Sequence, residues 1–259
     1  MVKLLLDFKG DIHALADDGN PLVFAAVDRT DVLKAFLDAG ARVAGVDRSA
    51  HSNNAAHSNL AHFAVALDNA AAVDMLVRDV VNLYGKIDAV VHLVGGFAGG
   101  QRADETSDET WEKMIAINLR PAWVLSRAVL PLMREARRGS FIAIGSSAAL
   151  EPTPTLGAYG ASKAALASMT RTWALELASR GITVNTVAPG PIETELFRTY
   201  NPVGSERERA YLAQIPVRRF GQTDDLAELI GLILSPSMGY LTGQTIYFDG
   251  GFTVGRAGE

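Results

Sequence analysis

A regular alternation of short apolar runs and longer helical segments, which continues from residue 21 to residue 251, limits the possible folds more than any other feature. The apolar runs predict strands at 21–27, 41–47, 60–68, 86–94, 140–146, 182–190 and 244–251. The segments between them predict helices at 31–40, 69–85, 108–136, 155–180 and 223–234. The run KIDAVVHLV at 86–94 is almost continuously apolar, as is typical of a strand buried on both faces of a parallel sheet. Because parallel neighbours need crossover connections, the alternation predicts a doubly wound parallel sheet with helices on both faces, an α/β fold of three layers.

Length and composition narrow the class of protein further. The chain has 259 residues, of which 48% are hydrophobic, and contains no linker-like tract, so we predict a single domain over 1–259 with an N-terminal extension at 1–20. The net charge of −5 argues against a nucleic-acid partner, which would require a basic face. The absence of cysteine excludes disulfides, a thiolate nucleophile and zinc–thiolate sites.

Targeting and metal signals are also weak. The N-terminal apolar run from Leu4 to Leu6 is too short for a secretory signal, and no run approaches the roughly 18 residues that span a bilayer. We therefore expect a cytoplasmic protein with no membrane partner. Three histidines, His51, His57 and His62, share one polar stretch but have no acidic or thiolate partner beside them, so we predict no metal site.

The carboxyl ends of the predicted strands indicate where a ligand would bind, since ligands of such sheets lie beyond those ends. The residues predicted there are Asp47, Asp68, Gly95, Gly96, Ser146 and the turn Pro189-Gly190-Pro191.

Tyr159 and Lys163 form the clearest candidate for acid–base chemistry. They are four residues apart in a predicted helix, which places both side chains on one face. A tyrosine with its ordinary pKa of about 10 is a poor base near neutral pH, and a nearby ammonium group favours its phenolate. Ser146 lies thirteen residues earlier at the end of a predicted strand, where its hydroxyl could polarise a carbonyl. Such Tyr–Lys pairs also occur by chance, so the spacing alone leaves the function open.

In its wider context this pattern resembles the short-chain dehydrogenase/reductase family. Ser146, Tyr159 and Lys163 match the family's catalytic serine, tyrosine and lysine in order and spacing. Asn118, in MIAINLRPAW, matches its helix asparagine. The segments VNTVAPGPIET at 184–194 and LTGQTIYFDGG at 241–251 are also similar to family patterns. The resemblance covers about residues 40 to 252 and implies a Rossmann-like fold.

The resemblance also implies a reaction, the interconversion of a secondary alcohol and a ketone by hydride transfer with a nicotinamide cofactor. Tyr159 is implied to exchange a proton with the substrate oxygen, and Ser146 to hydrogen-bond that oxygen. Lys163 is implied to lower the pKa of the tyrosine and to bind the nicotinamide ribose, and Asn118 to hold a water that returns protons to solvent. The implied partners are a small carbonyl or alcohol substrate and further copies of the chain, in a homotetramer or a dimer.

Several further residues match the cofactor side of the family. Asp47 ends the second predicted strand, where a carboxylate accepts ribose hydroxyls and repels a 2′-phosphate, which favours NAD over NADP. Arg48 follows directly and could pair with such a phosphate, so NADP remains possible. The other matching positions are Asp68 and Asn69 on the adenine side, Val94 and Gly95 after the fourth strand, and Pro189, Ile192 and Thr194 near the nicotinamide.

The chain departs from the family at the first strand–helix turn. The family has a glycine-rich TGxxxGxG turn there, whose backbone approaches the pyrophosphate closely. The corresponding VFAAVDRTDVL at 23–33 contains no glycine and carries Asp28 and Asp31. The family's NNAG after the fourth strand is altered to His92-Leu93-Val94-Gly95.

This departure leaves two alternatives to a dehydrogenase. The first is a cofactor-independent lyase or dehalogenase-type enzyme on the same fold, similar to the halohydrin dehalogenases, which lack the glycine turn. The second is a non-catalytic subunit that pairs with an active relative. Residues 191–215 follow the Pro-Gly turn and mix charged and apolar side chains. This segment resembles the family's substrate lid.

Overall fold

The computed structural model describes residues 22–26, 37, 41–48 and 59–255. Its strands are β1 (Leu22–Ala26), β2 (Arg42–Asp47), β3 (Leu60–Ala64), β4 (Ala89–His92), β5 (Gly139–Ile144), β6 (Ile182–Pro189) and β7 (Thr245–Phe248). Its helices of more than one turn are α1 (Ala70–Tyr84), α2 (Asp108–Asn118), α3 (Arg120–Ala136), α4 (Gly157–Leu177), α5 (Glu195–Tyr200), α6 (Glu206–Gln214) and α7 (Thr223–Leu234).

The seven strands form one sheet in the order β3-β2-β1-β4-β5-β6-β7, and every neighbouring pair is parallel. This topology confirms the predicted doubly wound α/β fold. The strand order reverses between β1 and β4, so their carboxyl ends flank the point where sheets of this kind bind ligands. At that point His92, the last residue of β4, is in register with Ala26 of β1 and Ala143 of β5.

Two apolar clusters cover the two faces of the sheet. One contains residues of α1, α3 and α4, including Leu76, Leu125 and Trp173, and the other contains residues of α7, including Ile230. Strand β4 contributes Val90 to the first cluster and Ala89 and Val91 to the second. Burial on both faces is therefore the reason why its sequence does not alternate between apolar and polar residues.

Some predicted boundaries were too long. The strand predicted at 60–68 ends at Ala64, and Asp68 lies in the loop before α1 rather than at a strand end. The helical segment predicted at 108–136 is two helices separated by Leu119, and Pro121 lies in the first turn of the second, where its missing N–H costs no hydrogen bond.

Several sequence predictions lie outside the described residues. They are the N-terminal extension at 1–20, nearly all of the helix at 31–40, the side chains of Asp28, Asp31, His51 and His57, and the route of the glycine-free turn. Among the helices that the structure does describe, none combines the length and the apolarity needed to cross a membrane.

Candidate active site

The candidate catalytic residues converge on the carboxyl edge of β4 and β5. Ser146 follows β5 by two residues, and its hydroxyl accepts a hydrogen bond from the N–H of Ala148 at 3.2 Å, which caps the short helical turn at 147–149. Tyr159 and Lys163 lie in the first two turns of α4. The structure therefore brings the serine to the same sheet edge as the Tyr–Lys pair, through two separate elements.

Lys163 is tied to the strand that precedes Ser146. Its side chain is almost fully buried, and its Nζ donates a hydrogen bond to the carbonyl oxygen of Ile144, the last residue of β5, at 2.9 Å. This bond points the ammonium group towards the carboxyl end of β5.

Asn118 connects the loop after β4 with the helix that carries Tyr159. Its Oδ1 accepts from the N–H of Gly96 at 2.9 Å, and its Nδ2 donates to the hydroxyl of Ser162 at 3.1 Å. The Ser162 hydroxyl in turn donates to the carbonyl oxygen of Tyr159 at 2.7 Å. Sequence reasoning missed Ser162, for which the only available signal was its position one turn after Tyr159.

Gly95 lies where a side chain would crowd two polar groups of the site. A Cβ there would be 2.8 Å from Oδ1 of Asn118 and 3.0 Å from Nζ of Lys163. Both distances are shorter than normal contacts, so the amide and the ammonium group both lie close against the backbone of Gly95. This close approach explains why the glycine of the altered NNAG is retained while its neighbours differ.

His92 is a second feature that sequence reasoning did not place in the site. The residue is fully buried at the carboxyl end of β4, and neither ring nitrogen has a hydrogen-bond partner among the described residues. Burial, and secondarily the nearby ammonium of Lys163, lower the pKa of His92 to about 3. The imidazole is therefore neutral near physiological pH.

Phe97 packs against the candidate catalytic tyrosine. Its ring centroid is 5.2 Å from that of Tyr159, with an interplanar angle of 72°, in the edge-to-face arrangement that aromatic pairs prefer. The residue is half exposed, so it supports the tyrosine ring from the solvent side.

The residues predicted on the adenosine side of the cofactor lie at a strand end, in a loop and at a helix N-terminus. Asp47 ends β2, and its carbonyl oxygen accepts from the N–H of Val65 at 2.7 Å. Asp68 is exposed before α1. The side chain of Asn69 caps α1 by accepting from Ala72 at 3.1 Å.

Three of the residues predicted near the nicotinamide lie at or after the end of β6. Pro189 is its last residue, and Ile192 is buried in a bridge to Gly221. The Thr194 hydroxyl accepts from the N–H of Phe197 at 3.1 Å and caps α5. Val94, from the loop after β4, packs against the core cluster of α1, α3 and α4. Like Asn69, Thr194 uses its side chain to cap a helix.

The donors and acceptors at this edge fit a nicotinamide dinucleotide. A buried ammonium group at Lys163 and a close backbone approach at Gly95 suit the ribose and base of the nicotinamide half. A carboxylate at the end of β2 suits the adenosine ribose.

The predicted lid contains a compact ion-pair network around Arg198. Its guanidinium pairs with Glu193 at 2.6 Å and with Glu208, and lies 5.2 Å from the ring centroid of Phe220. Hydrogen bonds from Gln222 and Arg198 hold the pKa of Glu193 below its ordinary value, and the bond from Arg198 does the same for Glu208. The two carboxylates therefore stay ionised and fully engage the arginine.

Comparison with known proteins identifies a matching family model and several similar proteins. A family model described as enoyl-(acyl carrier protein) reductase matches residues 30–253. The 3-oxoacyl-(acyl-carrier-protein) reductase FabG of Thermotoga maritima is 37% identical over 179 residues, which cover 69% of this chain and 71% of the relative. A protein of Xanthobacter autotrophicus named inactive 2-(S)-hydroxypropyl-CoM dehydrogenase 2 is 34% identical over 228 residues, covering 85% of this chain and 99% of the relative.

A solved structure supports the fold independently. The structure titled ElxO with NADP bound aligns with a TM-score of 0.86 and covers 91% of this chain and 99% of that one, at 23% sequence identity.

Proposed function

Because the chain belongs to the short-chain dehydrogenase/reductase family and is an NAD(P)-dependent oxidoreductase, we propose that Ser146, Tyr159, Lys163 and Asn118 interconvert a ketone and a secondary alcohol. The observation that supports this assignment most directly is the arrangement around Gly95, where the Asn118 amide and the Lys163 ammonium meet beside the helix turn of Tyr159. When bound, the nicotinamide supplies the hydride for reduction and accepts it in the reverse direction.

Tyr159 and Ser146 act on the substrate oxygen in this proposal. During reduction the carbonyl carbon gains the hydride, and its oxygen takes the proton from the Tyr159 hydroxyl, so the product is a neutral alcohol. The Ser146 hydroxyl donates a hydrogen bond to the same oxygen and stabilises the negative charge that develops there. In oxidation the same groups act in reverse.

Lys163 and Asn118 support the tyrosine. The Lys163 ammonium favours the phenolate that Tyr159 becomes after it gives up its proton, and it would also bind the ribose of the cofactor. Asn118 fixes the loop after β4 through Gly96 and the first turns of α4 through Ser162. We assign the return of protons to solvent to water held near Asn118.

The choice between NAD and NADP depends on Asp47 and Arg48. We propose that Asp47 accepts the adenosine ribose hydroxyls, together with Asp68 and Asn69 on the adenine side, while Val94, Gly95, Pro189, Ile192 and Thr194 border the nicotinamide half. The carboxylate favours NAD, whereas the exposed Arg48 beside it would accommodate the 2′-phosphate of NADP. The solved structural relative binds NADP.

Other parts of the proposal concern the whole chain. We propose that residues 1–259 form one domain, that 191–215 act as the substrate lid, and that the protein is a cytoplasmic homo-oligomer, a tetramer or a dimer. Its partner is a small-molecule substrate.

A nucleotide titration tests the function. We expect NADH or NADPH to quench the fluorescence of Trp123 and Trp173 at micromolar concentration, with NADH weakened in Asp47→Ala because the ribose hydroxyls lose their acceptor. Reduction of a ketone should be lost in Tyr159→Phe while nucleotide binding is retained, since that variant removes only the proton donor. Ketone reduction that persists in Tyr159→Phe would refute the assignment. Failure of both nucleotides to bind at millimolar concentration would favour redox-free chemistry at Ser146.

A further inference from the structure

The segments that follow β4, β5 and β6 each expose a large apolar side chain after the carboxyl end of the strand. Phe97 is 50% exposed after β4, Leu150 is 54% exposed after β5, and Leu196 is 58% exposed after β6. These three strands are neighbours in the sheet, so their carboxyl ends lie side by side. The edge that carries Tyr159 therefore has an apolar rim contributed by three separate segments.

The loop that carries Phe97 contacts the segment that precedes α4. The N–H of Gly100 donates to the carbonyl oxygen of Thr155 at 3.0 Å, which joins the loop after β4 to the segment before α4. At Gly99 a Cβ would lie 2.4 Å from the Leu156 side chain and 3.3 Å from the Phe97 ring. The side chains of Phe97 and Leu156 thus both lie against Gly99, and the Phe97 ring also contacts Tyr159.

The charge of the same segments disfavours an anionic substrate. Residues 93–100 carry no charged side chain, 145–158 carry only Glu151, and 190–200 carry Glu193, Glu195 and Arg198. Three carboxylates against one guanidinium give a formal charge of −2. Arg198 is already paired with Glu193 and Glu208, so within these described segments the one cation is engaged. Within these described segments, an anion meets repulsion and no cation that is not already paired.

We propose that the site takes neutral carbonyl compounds whose larger substituent is apolar, and that Phe97 is the specificity-determining residue that packs against this substituent. This inference rests on the function proposed above. A longer alkyl chain loses more contact with water on reaching Phe97 and Leu156, and each buried methylene is worth roughly fourfold in affinity. A terminal carboxylate cancels that gain because it must stay hydrated near the carboxylates of Glu151, Glu193 and Glu195.

Three matched ketones test the proposal: 2-butanone, 2-octanone and 7-oxooctanoate, in which a carboxylate replaces the terminal methyl group of 2-octanone. We expect kcat/KM for 2-octanone to exceed that for each of the other two by at least about tenfold, mainly through a lower KM. The proposal is overturned if 7-oxooctanoate is the better substrate or if chain length has no effect.

Substitutions at Phe97 assign the preference to that side chain. Phe97→Ala should reduce the ratio of 2-octanone to 2-butanone about tenfold through KM, whereas Phe97→Leu should retain most of it because leucine remains large and apolar. Leu83→Ala, which shortens an equally exposed apolar side chain at the end of α1, should leave the ratio unchanged. An unchanged ratio in Phe97→Ala would show that the Phe97 side chain does not pack against the apolar substituent of the substrate.

A calorimetric titration with 2-octanone separates failure of this inference from failure of the proposed function. Binding that is weakened by Phe97→Ala without any ketone turnover would refute the catalytic assignment and keep the apolar pocket. Turnover of 7-oxooctanoate in preference to 2-octanone would keep the catalytic assignment and refute the pocket.

Discussion

At the scale of single residues, the site depends on groups that are crowded or deprived of water. Gly95 is crowded by two polar side chains, and His92 is buried without a hydrogen-bond partner among the described residues. Such positions have an energetic cost that is tolerated where a function requires the geometry. Gly95 leads to a prediction about activity and stability, and His92 leads to a prediction about the pH dependence of stability.

Gly95→Ala should lower activity more than stability. The new methyl group would displace the Asn118 amide or the Lys163 ammonium, both of which are ends of side chains, so the fold should lose no more than about 1–3 kcal/mol. Ketone reduction should fall at least about tenfold, because the ammonium group loses its position. Steady-state kinetics and urea unfolding check this, with Gly157→Ala as a control at an open position. Equal losses of activity in the two variants would contradict the prediction.

His92 should make stability depend on pH below about 6.5. The folded-state pKa is about 3 and lies below the ordinary value of 6.5, so in this range the unfolded chain binds a proton that the folded protein does not. Stability should therefore fall as pH decreases from 6.5 towards 3, by about 1.4 kcal/mol per pH unit from this group.

The contribution of His92 is measured as a difference between two proteins. Urea unfolding between pH 7 and pH 4 should show a shallower pH dependence in His92→Asn, since asparagine does not titrate. Identical slopes in the two proteins would mean that the histidine is protonated or solvated in the folded state.

At the scale of secondary-structure elements, caps and loops determine where each functional side chain lies. Helix α1 begins at an Asn69 cap and ends at Gly85, whose φ of 84° is left-handed. Helices α5 and α6, which belong to the proposed lid, are connected by the ion pairs of Arg198 with Glu193 and Glu208. Both features can be tested without altering the catalytic residues.

Two glycine substitutions separate backbone strain from packing. A Cβ at either Gly85 or Gly157 would have no atom of a neighbouring group within 4 Å, but only Gly85 has a positive φ. Gly85→Ala should therefore destabilise the protein by about 1 kcal/mol, whereas Gly157→Ala should be neutral or stabilising by up to about 1 kcal/mol. Urea unfolding at pH 7 measures both. Similar effects at the two sites would show that φ is not the cause.

Arg198→Gln should loosen the lid. The change removes both ion pairs and leaves Glu193 and Glu208 without their shared counter-charge. We expect limited proteolysis within 194–214 to become several-fold faster, and KM for the ketone to rise more than kcat falls. Arg102→Gln, which removes an exposed pair with Asp104 outside the lid, serves as the control. Unchanged cleavage would show that the aromatic contacts of Phe197, Tyr211 and Phe220 suffice to hold the lid.

At the scale of the whole molecule, one parallel sheet brings distant segments to a common edge. The strand order reverses between β1 and β4, which is the point where sheets of this kind bind ligands between the loops that follow their strands. A ligand that contacts several of these loops stabilises the folded state as a unit, because the unfolded chain offers no such site.

Nucleotide binding should therefore raise the stability of the entire fold. At about 100 times its dissociation constant, NADH or NADPH should add about 2.7 kcal/mol to the free energy of unfolding. Thermal unfolding with and without nucleotide measures the shift, which should be smaller for NADH in Asp47→Ala. If neither nucleotide shifts the transition, the glycine-free turn after β1 does not hold a dinucleotide.

The layered α/β fold and the shared helix face of Tyr159 and Lys163 could be predicted from the amino-acid sequence, since both are encoded locally, whereas Ser146 was added to this pair by the resemblance to the family. Apolar periodicity reports burial along one element, and a four-residue spacing reports a shared helix face. The N- and C-terminal limits of α1 and the whole of α7 also followed from local signals.

Which distant residues meet could be learned only from the folded chain. Nothing in the local sequence places Asn118 against Gly96 and Ser162, Lys163 against Ile144, or Phe97 against Tyr159. The predicted strand at 60–68 was too long because hydrophobicity continues into the loop after Ala64, whereas the strand ends where pairing with β2 ends. Periodicity records the environment of each element, but contacts between elements depend on crossover topology and register, which are properties of the assembled sheet.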